Sequence, residues 1–230
     1  MSQYFNKPKL FTLSLLLISG IVFSPSCGKK GNRFQPVSYF PVQLDNTWIF
    51  NGELGKMKIT NIDDQTATKA VTFTYFDSSD VPLWKEEYKL EENQLYWVTF
   101  ESKTTLLPVI SFNPPLPFAP VSDRQGYKTV LHSTQTHSDT TTNETQIIVA
   151  YEIQAVEDVV VPAGKFLNCI KMKIDVQYPQ LVRHPLFYGE QIFWYAPLVG
   201  PVKYVLPSSR GELVKMSVNS GRIISMDADQ

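Results

Sequence analysis

Few residues in this 230-residue chain have the types and spacing that chemistry needs. Its two cysteines are Cys27 and Cys169. A thiol reacts as the thiolate, which needs a nearby positive charge to form at neutral pH. Lys171 stands two residues beyond Cys169, on the same side of a strand, and is a weak device for that purpose. With its apolar neighbours Leu167 and Ile170, Cys169 reads first as a small buried hydrophobe. Three histidines, His132, His137 and His184, are the natural metal ligands. His132 and His137 are five apart, which places them on opposite faces of a strand, so no metal site is expected. Asn61, Asp63, Asp64, Asp77 and Asp80 read as turn residues and lack the spacing of a calcium loop. Glu86-Glu87 and Glu91-Glu92 lie in one charged run, Lys85 to Glu92. Neighbouring strand residues face opposite ways, so neither pair suits paired acid and base work, and a solvated face is expected. The chain holds no G-x-S-x-G, H-E-x-x-H or Walker-type glycine loop. We therefore expect a non-catalytic protein with no catalytic, cofactor-binding or metal-binding residues. Were it an enzyme, a hydrolase would be the least strained assignment.

Cys27 has a different prospect, set by what precedes it. Lys7 and Lys9 give a positive start, Leu10–Phe23 is apolar, and Ser24, Pro25 and Ser26 lead into the cysteine. A positive region, an apolar run and a small-residue exit make a secretory signal. At 14 residues, the run is shorter than the roughly 20 needed to span a bilayer core. The arrangement resembles a bacterial lipoprotein signal, which implies that Cys27 becomes the lipidated first residue of the mature chain. Ser24 and Ser26 also fit ordinary cleavage before Cys27, which would leave Cys27 free to pair with Cys169. By the same resemblance, Gly28 rather than Asp after the cysteine implies the outer membrane. The expected organisation is a signal over 1–26, a lipid-anchored tether over 27–38, and one β-rich domain over 39–230.

Charge excludes some partners. The formal net charge is −1, and loss of Met1–Ser26, with two lysines and no acid, takes it to −3. No basic footprint for nucleic acid is present.

The domain must be built from strands. Val71, Phe73 and Tyr75 alternate with polar residues. So do Ile147, Val149, Tyr151 and Ile153, and then Ile170, Met172, Ile174 and Val176. Period two with one polar face predicts antiparallel strands that are wet on one side. Val202, Tyr204 and Leu206 continue the pattern, and Val214, Met216 and Val218 are expected to share a face after them. Turn signals at Asn51-Gly52, Pro162-Ala163-Gly164 and Asn219-Ser220-Gly221 separate the runs. The expected fold is all-β and mainly antiparallel, a large curved sheet or open barrel of about ten strands with little helix. Residues 104–125 carry five prolines among apolar side chains and are expected to form a long loop over an edge or mouth of the sheet. Ser133–Glu144, rich in Thr and Ser, reads as an exposed hairpin tip or loose loop.

Three segments carry a further resemblance: Tyr39–Phe50 (YFPVQLDNTWIF), Val161–Ile170 (VPAGKFLNCI) and Phe193–Val205 (FWYAPLVGPVKYV). Together they resemble a loosely defined class of exported bacterial lipoproteins of uncharacterised function. The resemblance implies an envelope location and a curved β form, and brings no catalytic residue. The residues themselves have sufficient structural roles as core aromatics, turn glycines and strand-end prolines. Three functions follow as alternatives. The first is a non-catalytic carrier of a lipid or other apolar ligand on a curved sheet. The second is an interaction lipoprotein docking to an envelope protein. The third is the hydrolase.

Overall fold

A computed structural model describes residues 39–64, 68–103, 109–137, 144–177 and 189–219. The signal, the tether with Cys27, and His184 lie outside the described residues. Twelve strands follow one another: β1 (Thr47–Phe50), β2 (Lys56–Asp63), β3 (Lys69–Phe76), β4 (Pro82–Glu91), β5 (Gln94–Ser102) and β6 (Ile110–Phe118). They continue with β7 (Lys128–His137), β8 (Thr145–Val161), β9 (Gly164–Gln177), β10 (Gly189–Ala196), β11 (Gly200–Val205) and β12 (Arg210–Ser217). Each pairs antiparallel with its neighbour in sequence, and β1 pairs with both β12 and β2, which closes the barrel. The all-β antiparallel form expected from the alternation is present, with twelve strands in place of about ten and a closed wall in place of an open one. Closure satisfies edge groups that a curved sheet would leave free.

Alternation decides what fills the barrel. Val71, Phe73 and Tyr75 of β3 are buried, as are Ile147, Val149, Tyr151 and Ile153 of β8. Ile170, Met172 and Ile174 of β9 join them. Each large apolar side chain so removed from water contributes roughly 1.5–3 kcal/mol. Phe40, ahead of β1, fills the end of the barrel where β6 stops. Its ring lies 5.2–5.4 Å from those of Trp48, Phe73 and Phe118. Trp48 Nε1 donates to the Val199 carbonyl oxygen at 2.6 Å. The tryptophan ring lies where a Cβ at Gly200 would meet it at 3.1 Å, and Gly200 has a φ of +101°. Two of the three recognisable sequence segments thus meet at this end. The third forms the β8–β9 turn, where the Ala163 amide donates to Leu213 O at 3.0 Å.

Three expectations are corrected. The 104–125 segment is not one loop, because Ile110–Phe118 is strand β6. Its prolines are tolerated because pairing lapses around them. The register with β5 skips from Thr99↔Ser111 to Trp97↔Leu116, so Pro114 and Pro115 oppose no β5 residue. Ser133–His137, read as a tip or loose loop, belongs to β7, with Ser133 and Gln135 buried. On β12 the inward residue is Leu213, whereas Val214 and Met216 face water. The pairing of β1 with β12 shifts between Ile49 and Phe50, and the strand's face follows that shift rather than its apolar run.

Candidate functional site

One carboxyl group interrupts the apolar interior. Glu86 on β4 points inward between Trp84 and Tyr88 and is 1% exposed. Tyr75 Oη donates to Glu86 Oε2 at 2.8 Å, and Tyr88 Oη donates to the same oxygen at 2.6 Å. Tyr75 stacks on Trp84 at 4.6 Å, and Tyr88 stacks on Trp97 at 6.4 Å. The carboxyl group is thus held by hydroxyl donors inside an aromatic surround. Burial pushes the Glu86 pKa from 4.5 up to about 7, against the opposing pull of the hydrogen bonds from Tyr88, Tyr75 and Trp84. Burial also raises the Tyr75 and Tyr88 hydroxyls, with the Glu86 charge adding to it, so both remain protonated donors.

A cavity of about 60 Å³ adjoins this group. Glu86, Gln191, Tyr151 and Tyr195 supply its polar wall, and Phe112, Ile174 and Phe193 are among its apolar lining. Tyr151 Oη donates to Pro117 O at 2.9 Å. The Tyr195 hydroxyl and Gln191 Nε2 are buried with no hydrogen-bond partner among the described residues. The volume suits about two water-sized groups and is far below the roughly 300–1,000 Å³ of common ligand sites.

A second concavity lies on the wall. β6 pairs with β7 over Ile110–Asn113 against Thr134–His137. Beyond this, Leu116–Phe118 pairs with β5 alone and Lys128–Ser133 with β8 alone. The two strands part, and a groove of about 410 Å³ opens along the seam. Tyr96, Pro115, Leu116, Val121, Tyr127 and Leu131 line much of it. Ser133 Oγ donates to Pro114 O at 2.7 Å at the point where the strands separate.

The sequence candidates are dispersed. Cys169 is fully buried, and burial pushes its thiol up to about 11, so it is no nucleophile at neutral pH. Lys171 lies over the Trp194 ring at 5.1 Å instead of activating it. His132 sits exposed at the seam groove, and the His137 side chain lies outside the described residues. Asp77 is a turn residue whose Oδ1 accepts from the Ser79 and Val81 amides at 2.8 and 2.9 Å. Glu86 and Glu87 do face opposite ways, and the expected solvated face holds for Glu87, Glu91 and Glu92 but not for Glu86. The signal for Glu86 was its place between Trp84 and Tyr88 at period two, which the surrounding charges masked.

No family model matches the chain, and a search of curated proteins finds no match. Two solved structures are similar to it in outline. One is a "putative lipoprotein" from Parabacteroides distasonis ATCC 8503, 15% identical, with a TM-score of 0.47 over 78% of this chain and 98% of the other. The second is a "putative exported protein with YmcC-like fold" from Bacteroides fragilis NCTC 9343, also 15% identical. Its TM-score is 0.48, over 77% of this chain and 98% of the other.

Proposed function

We propose that this is a non-catalytic lipoprotein of the bacterial cell envelope, anchored through Cys27 in the outer membrane, and that it binds an apolar ligand in the seam groove. The groove itself carries the reading. At about 410 Å³ it falls within the range of small-molecule sites, and its lining is rich in aromatic and proline surface. The barrel interior is too full for a lipid, so the concave-face site expected from sequence moves to the outside of the wall. The signal before Cys27 supports the anchor, and two or three acyl chains there would hold the protein firmly.

The test is mass spectrometry of solvent extracts from the full chain carrying Cys27→Ser, exported and purified without detergent. A stoichiometric apolar molecule supports the reading, and an empty protein overturns it.

A second reading has its own observation. Among the described residues, Lys128–Ser133 of β7 has no strand on its β6 side. A free edge of this kind accepts an added strand from a protein partner. Cross-linking to a defined envelope protein through this edge, with no extractable ligand, would favour it.

A further inference from the structure

The barrel interior holds an unpaired acid. Among the described residues, none of the ion pairs involves Glu86. A buried carboxylate without a counter-charge is costly, and the hydrogen bonds from Tyr75, Tyr88 and Trp84 offset only part of the lost hydration. Both hydroxyl donors address one oxygen, Oε2. Beside it lies a cavity whose Tyr195 hydroxyl is fully buried and has no hydrogen-bond partner among the described residues. Tyr88 and Trp97 also line the cavity.

We propose that this cavity is a binding site for a small primary alkyl ammonium, with its head between Glu86 and the Tyr195 hydroxyl and its alkyl part against Phe112, Ile174 and Phe193. The ammonium N–H groups donate to the carboxylate and to the tyrosine oxygen, satisfying both at once. An alcohol leaves the carboxylate unpaired, and a carboxylate ligand is repelled by it. The cavity of about 60 Å³ takes the head and the first carbon or so. The cavity is only partly enclosed. This site is separate from the seam groove and stands or falls independently of it.

The experiment titrates n-butylamine, 1-butanol and butyrate into the full chain carrying Cys27→Ser at pH 8, followed by calorimetry and by tryptophan fluorescence. Butylamine is expected to bind at least tenfold more tightly than butanol, and butyrate is expected not to bind. Glu86→Gln is expected to weaken butylamine at least tenfold and to change butanol far less. Tyr195→Phe, which keeps the ring, is expected to weaken butylamine several-fold. The comparison of the three probes on unsubstituted Glu86 needs no variant to fold. Equal affinity for amine and alcohol, absence of a saturable amine signal, or undiminished amine binding by folded Glu86→Gln would each overturn the proposal.

Discussion

The β8–β9 hairpin and the β6–β7 seam are built from the same alternating pattern and end differently. β8 and β9 stay paired from Ile148↔Gln177 to Val161↔Gly164, with two bulges that bend the ladder without parting it. β6 and β7 stay paired for four residues and then separate. The difference is proline. Pro114, Pro115 and Pro117 have no amide to give to β7, so the wall opens where they stand. Alternation therefore says which side chains go inside, while backbone donors say where the wall stays shut.

The largest expected contrast is between the packed end and the seam. Trp48→Ala removes a fully buried ring and is expected to cost about 3–5 kcal/mol in denaturant unfolding. Pro115→Ala at the seam is expected to stay within about 0.5 kcal/mol of the parent. Comparable losses at both sites would erase the distinction.

Next comes the buried acid. Glu86 holds its proton more tightly folded than unfolded, with a pKa raised from 4.5 to about 7. Its contribution to stability is full below about pH 4.5 and is lost as pH rises to about 7. The loss amounts to about 3 kcal/mol. Relative to the parent, Glu86→Gln is expected to gain stability across that window and to hold the gain at pH 8. Parallel curves for the two proteins would contradict the assignment.

A third effect concerns the closed wall again. A Cβ at Gly211 would lie 2.5 Å from the Tyr204 ring, so Gly211→Ala is expected to cost about 1–3 kcal/mol in thermal or denaturant unfolding. An unchanged midpoint would show that the ring yields freely. The smallest effect is at the surface. Lys203 and Glu212 pair at 2.8 Å, both partly exposed, and Lys203→Ala is expected to change stability by about 1 kcal/mol or less.

Where side chains alternate cleanly, as in β3, β8 and β9, strand and inward face were both legible from sequence, because period two has one interpretation. β6 was not, since proline content argues against a strand unless the pairing it interrupts is known. The face of β12 was hidden for a related reason. Val214 and Met216 look like core, but the shift at Ile49/Phe50 turns Leu213 inward. Closure of the barrel depends on β1 meeting both β2 and β12, a long-range pairing that no local pattern encodes. Of the candidate sites, Cys169 was legible as a buried thiol, whereas Glu86 was hidden among neighbouring charges. The seam groove had a partial signal in its proline cluster, which marked the right place for the wrong element.

The most direct test of the account places a charge in the groove and asks whether the ligand leaves. Leu131 lines the groove from β7. The full chain carrying Cys27→Ser would be compared with the same chain carrying Leu131→Arg in addition, by native mass spectrometry after export. The account predicts one bound apolar molecule per chain in the first protein and loss of that molecule from the second, with the barrel still folded. An empty first protein, or a ligand that stays bound after Leu131→Arg, would contradict it.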